Sequence, residues 1–399
     1  MSKVDLDYSL DDKYLLDEGR VFLSGTQALV KLPLIQKKID ELNNLNTAGF
    51  ISGYPGSPLG GYDHALHQAS NFLKDKQIVF QPGINEDLAA TALHGTQQTT
   101  LVDNPKHDGV FGIWFGKGPG VDRSGDALKH GNYAGSSKHG GVLALAGDDH
   151  AAKSSTTAHQ SDHAFIHFGM PILNPATVQD YIDFGLMGIA MSRYSGCWIG
   201  MKCITDTVES AASVDIGLKR FKPVLPDISD EEGDLHLQWG YMPAMSESRL
   251  YKQRLPAAQA FARANSIDRV IFQGQKKLAI VTSGKAYLDV RQSLDELGLS
   301  EKLCSKIGIS LYKVGMVWPL EPKNISNFVN GNEEILVVEE KRPIVEDQLM
   351  KYLYNEKDRP LIIGKKDEFG NDLVPSEGEL SPSQIALIIA KRIKGLSLN

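Results

Sequence analysis

Four loops in the first half of the chain carry residues that could do chemistry. Gln81–Glu86 (QPGINE) delivers a carboxylate, Glu86, into the first turn of an amphipathic segment whose apolar residues are Leu88, Ala89, Ala92 and Leu93. Such a group either complements the positive end of the helix or, at the mouth of a sheet, accepts a proton or a hydrogen bond. Gly53–Gly61 (GYPGSPLGG) holds four glycines and two prolines. It reads as a tight strand-to-helix turn, and such a turn also aims backbone N–H groups and the Ser57 hydroxyl at whatever lies above a sheet. Gly116–Gly125 (GKGPGVDRSG) belongs to a stretch in which ten glycines fall between Gly109 and Gly141. That density calls for close backbone approach, yet the run is neither a Walker loop nor a GxGxxG fingerprint. Gly147–Asp162 carries Asp148, Asp149 and His150, donors that suit a metal corner or a polar loop. Ten of the eleven histidines lie between His64 and His167. Among them His159, His163 and His167 recur every four residues, which on a helix places them on one side, as metal ligands or as a polar or interfacial face.

The elements that must position these loops follow from apolar patterning. Short apolar runs at Gly49–Tyr54, Ile78–Gln81, Gly109–Gly116, Gly141–Ala146, Pro171–Leu173 and Cys197–Ile204 alternate with amphipathic segments near 61–73, 86–101, 124–134, 154–168 and 177–194. Buried strands alternating with helices predict a parallel sheet covered on both faces. Open sheets of this kind bind ligands beyond the carboxyl ends of their strands, where all four loops fall. Residues 213–255, with Pro223, Pro226, the acidic run Asp227–Asp234 and Pro243, interrupt the alternation and read as a connector. Strands at Lys277–Ser283, Ile307–Val314, Ile335–Glu339 and Leu361–Ile363, with helices at Ala286–Leu297, Pro343–Tyr354 and Ser381–Lys394, then predict a second, smaller doubly wound domain.

Composition narrows the function classes. Of 399 residues, 42 are Lys or Arg and 49 Asp or Glu, a net charge of −7 that argues against a nucleic-acid-binding surface. An apolar fraction of 42% fits a globular protein. Met1–Arg20 lacks an apolar core of signal-peptide length, and no run approaches the ~18 apolar residues of a membrane span. The three cysteines, Cys197, Cys203 and Cys304, form no CxxC pair. They read as buried thiols in a reducing, cytoplasmic compartment, not as zinc or iron–sulfur ligands.

Taken in order, Tyr54–Pro58 (YPGSP), Ile84–Glu86 (INE), Lys117–Gly120 (KGPG) and Ala146–Asp149 (AGDD) resemble the thiamine-diphosphate-dependent 2-oxoacid:ferredoxin oxidoreductases. The likeness is greatest to the N-terminal part of the indolepyruvate ferredoxin oxidoreductases. It runs from about residue 15 to 395 and includes Trp318–Pro322 (WPLEP) and Ile335–Glu340 (ILVVEE) ahead of the Pro343 helix. The resemblance implies an α/β fold of two doubly wound parallel-sheet domains. Residues 15–215 would be a pyrimidine-binding domain, 216–254 a connector, and 255–395 a transketolase C-terminal-like domain.

By motif match, Glu86 would face N1′ of the aminopyrimidine ring. A hydrogen bond there favours the imino tautomer, whose 4′ nitrogen takes the C2 proton of the thiazolium. Tyr54, Pro55 and Gly56 would line the cofactor, Ser57 would place a hydroxyl near the substrate carboxylate, and Arg123 would be an anion contact. Gly56, where relatives carry a bulkier residue, would leave room for a larger substrate. The loop at Asp148 would be structural and substrate-side, and no metal site is assigned to this chain.

The implied reaction is oxidative decarboxylation of an arylpyruvate to an acyl-coenzyme A and carbon dioxide, with ferredoxin taking the electrons. The GDG motif for diphosphate and magnesium is missing, and so are cluster cysteines. Magnesium and the diphosphate would therefore be held by a partner domain or subunit in a homo- or hetero-oligomer, and the iron–sulfur clusters would lie outside this chain. The alternatives are a non-catalytic assembly subunit of such a complex, or a related oxidoreductase with a different 2-oxoacid.

Overall fold

The computed structural model describes residues 8–227, 234–238, 240 and 243–395. Most of the acidic run read within the connector lies outside the described residues. The strands, in chain order, are β1 (Arg20–Ser24), β2 (Thr47–Gly53), β3 (Ile78–Phe80), β4 (Gly109–Lys117), β5 (Val142–Asp148), β6 (Ile172–Leu173), β7 (Ile199–Ile204) and β8 (Ala211–Asp215). They continue as β9 (Arg269–Phe272), β10 (Leu278–Ser283), β11 (Ile309–Val314), β12 (Met316–Trp318), β13 (Glu334–Val338) and β14 (Leu361–Ile363).

β5 and β7 are buried from end to end, and β4 everywhere but at Lys117, as strands covered on both faces must be. They form the centre of a seven-stranded sheet of order β12-β6-β7-β5-β4-β2-β3, in which every neighbour is parallel except β12. The second sheet, β14-β13-β10-β11-β9, is parallel apart from β9. The fold is thus the α/β arrangement expected, of two mostly parallel sheets with helices on their faces.

Two features were not visible in the apolar pattern. β1 and β8 pair antiparallel into a small sheet of their own, and Gly25–Leu42 is an 18-residue helix packed on Val178–Ser195. β12, from the chain's second half, pairs with β6 and so completes the edge of the first sheet. One apolar core contains Leu93, Phe165 and Trp198 from the first half together with Val281, Tyr312 and Val337 from the second, so the halves share packing.

Two expectations are corrected. The helix expected over 154–168 begins only at Asp162, because Asp149 accepts hydrogen bonds from the backbone of Lys153 (2.9 Å) and Ser154 (2.8 Å) and turns the chain before a helix can start. His159 therefore stands outside that helix, and only His163 and His167 are on it. The end of the stretch read as a connector is also structured. Leu250–Arg254 is a π turn running into Leu255–Ala264, and buried Arg254 donates to the carbonyls of Leu235 (2.7 Å) and Ala134 (3.0 Å). No described helix is long and apolar enough to cross a membrane.

Candidate active site

The register of the central strands brings the loops together. Gly53 stands opposite Phe115, and Lys117 opposite Gly147, so β2, β4 and β5 end at one level. Beyond those ends the Gly83 N–H donates to the Gly53 carbonyl (2.8 Å), tying the Glu86 loop to the Ser57 turn. Asn85 caps the Glu86–Gln97 helix by accepting from Leu88 N–H at 2.9 Å, which sets Glu86 at the first helical position. Trp114, fully buried on β4, donates its indole N–H to the Glu86 carbonyl (2.9 Å) and pins the backbone there.

The Glu86 side chain is only 15% exposed. Its carboxylate lies against the backbone of Gly120, where a Cβ would come within 2.8 Å of Oε1. Among the described residues its charged neighbour is Arg123, whose Nε is 4.0 Å from Oε2, and the carboxylate accepts no hydrogen bond. The carboxylate, 15% exposed and still reached by solvent, keeps spare lone pairs and has room for a donor beside it. The N–H of a heteroaromatic ring is one such donor, so the residue is compatible with the group it was expected to hold.

The other expected site residues are placed as follows. Tyr54 and Pro55 are exposed at the β2 tip, with the Tyr54 N–H donating to the Phe115 carbonyl (3.1 Å). Ser57 is partly exposed in the same turn, ahead of a cis peptide bond to Pro58. Arg123 ends the Gly118–Arg123 helix, half-exposed, and its Nε lies 3.4 Å from Asp87 Oδ1, so its charge is directed at the carboxylates of Asp87 and Glu86. Gly56 departs from the expectation of spare room. The position of its missing Cβ is 2.8 Å from Lys117 Cδ, so the glycine accommodates the Lys117 stem, not an open volume.

Behind these tips lies a polar cluster that spacing alone did not reveal. Asp148 is fully buried at the end of β5 and accepts from Ser161 Oγ (2.6 Å) and Ser161 N–H (2.9 Å), with Lys202 Nζ at 3.8 Å. Burial pushes its pKa up, but the His159 hydrogen bond and the Lys202 charge more than offset this and hold it well below the usual carboxylate range. Lys202 in turn pairs with Asp162 at 2.7 Å. The next residues of the loop reach the second half of the chain: His150 Nδ1 is 2.7 Å from Glu340 Oε2, and Lys341 donates to the His150 carbonyl (3.0 Å). Among the described residues no group of three or more His, Cys, Asp or Glu is arranged to hold a metal ion, and Cys197, Cys203 and Cys304 are buried free thiols.

Comparison with known proteins bears on this arrangement. The indolepyruvate oxidoreductase domain family matches residues 268–398. Curated relatives include indolepyruvate oxidoreductase subunit IorA of Methanothermobacter marburgensis, 23% identical over 92% of this chain and 55% of the relative. The same subunit of Pyrococcus abyssi is 23% identical over 93% of this chain and 52% of the relative. The chain thus spans about half the length of the curated relatives it matches. Among solved structures, 2-oxoglutarate:ferredoxin oxidoreductase from Magnetococcus marinus, with 2-oxoglutarate, coenzyme A and succinyl-CoA bound, shares the fold with a TM-score of 0.66 at 13% identity, over 94% of this chain and 66% of that one. A split-gene transketolase, an inactive β4 tetramer, gives 0.53 at 13% identity over 93% and 98%. Over nearly its whole length, then, the chain is similar to subunit IorA of the indolepyruvate oxidoreductases, and its residues 268–398 match their domain family.

Proposed function

We propose that this chain supplies the aminopyrimidine side of a thiamine diphosphate site in an arylpyruvate:ferredoxin oxidoreductase. On this reading residues 15–215 are the pyrimidine-binding domain, 216–254 the connector and 255–395 the transketolase C-terminal-like domain. The observation that carries it is Glu86: a carboxylate at the strand tips, largely buried, clamped at its backbone by Trp114 and without a hydrogen-bond donor among the described residues. Bound thiamine diphosphate would supply the electron sink for decarboxylating a 2-oxoacid.

The chain's own residues have four tasks. Glu86 accepts a hydrogen bond from the ring N1′ and holds the proton there, favouring the basic tautomer of the exocyclic nitrogen. Tyr54, Pro55 and Gly56 form the wall beside the ring. Ser57 offers a hydroxyl to the substrate carboxylate. Arg123, held near by Asp87 and Glu86, adds positive charge on the substrate side. Magnesium and the diphosphate fall to a partner domain or subunit, and the iron–sulfur centres that pass electrons to ferredoxin lie outside this chain. Coenzyme A takes the acyl group. Longer relatives named as subunits support the expectation of further domains or partner subunits.

The test is turnover of indolepyruvate by the complete complex carrying Glu86→Gln. We expect electron transfer to ferredoxin to fall by about 10²–10⁴-fold, the span of one acid–base group. An unchanged rate would remove Glu86 from the reaction, and with it this reading.

A further inference from the structure

We infer that His159 is a positioning residue for the site, a clamp between two carboxylates that fixes the Gly118–Arg123 helix and thereby the position of Arg123 beside Glu86. The inference rests on the function proposed above for Glu86 and Arg123.

The geometry is that of one ring held at both nitrogens. His159 Nε2 lies 2.9 Å from Asp122 Oδ2, and Nδ1 lies 3.5 Å from Asp148 Oδ1 and 3.4 Å from Ser161 Oγ. The ring is largely buried, Asp148 completely so, while Asp122 is exposed. A neutral imidazole has one N–H and can donate on one side only. A hydrogen bond to Asp122 on one side and the Asp148 carboxylate 3.5 Å away on the other favour the doubly protonated ring.

The ring also fills a space that glycine alone leaves open. A Cβ at Gly118 would come within 2.1 Å of Nδ1. Gly118 opens the short helix, Gly120 backs the Glu86 carboxylate, and Arg123 closes the helix next to Asp122. His159 therefore grips the helix at its first residue and at Asp122, on the side away from Glu86. Gly120 and Arg123 are carried between or beside those two grips.

The charged groups around the ring are Asp122 on the short helix, Asp148 at the end of β5, Lys202 on β7, and His150 and Asp162 on either side of the loop that carries it. The hydrogen bond to Asp148, opposed by burial and helped by Asp122, raises the His159 pKa above its ordinary value. Below that value both bonds hold. Above it the ring keeps one N–H and loses the charge that holds it between the two carboxylates, so its hold on the Gly118–Arg123 helix weakens.

The experiment has two arms. In the complete complex, His159→Gln keeps a donor on one side only. It should raise KM for the 2-oxoacid about tenfold, the cost of one charge-assisted hydrogen bond, while kcat stays within about twofold. Wild-type KM should rise as pH climbs above the ordinary imidazole range, and this dependence should vanish in the variant. A variant that lowers kcat at constant KM, or keeps the wild-type pH profile, overturns the clamp. The second arm needs no turnover: NMR titration of the His159 imidazole, with Asp122→Asn for comparison. A pKa above that of free imidazole side chains, lowered by Asp122→Asn, supports the clamp. An ordinary or depressed pKa that Asp122→Asn leaves in place refutes it, whatever Glu86→Gln does to the rate.

Discussion

Glu86 depends on its neighbours having no side chain. The Gly120 backbone occupies the space beside the carboxylate, and a Cβ there would lie 2.7 Å from Cγ and 2.8 Å from Oε1. Gly120→Ala should therefore turn the carboxylate out of position. On the proposed role of Glu86, turnover of the complex should fall at least about tenfold. The melting temperature should stay within a few degrees, because alanine is the better helix former. Retained turnover with a lowered melting point would mean that the contact is structural only. Residue identities of this kind were legible from sequence where one loop delivers one group: Glu86 and Ser57 stand at strand tips as expected. Contacts between loops were not. The pairing of His159 with Asp122 joins residues 37 apart, and nothing in either segment announces the other. The space at Gly56 was misread for the same reason, since the side chain that fills it belongs to Lys117.

Among elements, most strands of the two large sheets were readable because continuous apolar runs bounded by glycine and proline have few other uses, while the short edge strands β9 and β12 were not. The Gly25–Leu42 helix was hidden by Pro33 in its interior, a residue that ordinarily argues against helix. Its start is nevertheless strongly specified. Ser24 accepts from Gln27 N–H (3.2 Å) while Gln27 Oε1 accepts from Ser24 N–H (3.0 Å), a complete capping box. Ser24→Ala should cost about 1 kcal/mol in urea denaturation, and a variant as stable as wild type would show that the helix is held by packing alone. The segment before Asp162 misled for a different reason. Its histidine spacing has helical period, but the Asp149 carboxylate captures the backbone donors first.

At the scale of the molecule the two halves are joined by buried charge as well as by a shared core. Lys313 of β11 pairs with Asp180 of the Val178–Ser195 helix at 2.6 Å, and Glu340 receives both His150 and Lys285. Buried acids pull stability in opposite directions with pH. Burial raises Glu340, but the His150 hydrogen bond and nearby positive charge bring its pKa down to about 2, so its contribution is present above the ordinary carboxylate range and lost as pH falls toward that value. Burial pushes Asp268 up to about 7 despite hydrogen bonds from the Met316 and Gly315 backbones, and Glu339 likewise up to about 7. Those contributions are present below the ordinary range and lost as pH rises through about 7. Denaturant titrations should accordingly find the chain most stable near about pH 5. Asp268→Asn should match wild type there and exceed it at about pH 8, because the amide cannot ionise. A variant less stable than wild type at the higher pH would contradict the raised pKa.

The proposed function turns on one group at the strand tips, Glu86. Its role is tested most directly by deuterium exchange at C2 of thiamine diphosphate bound to the complete complex, followed by quenched-flow NMR before any 2-oxoacid is added. If Glu86 generates the base, Glu86→Gln should slow this exchange by about two orders of magnitude or more, with the cofactor still bound. Exchange at the wild-type rate in the variant would contradict the account.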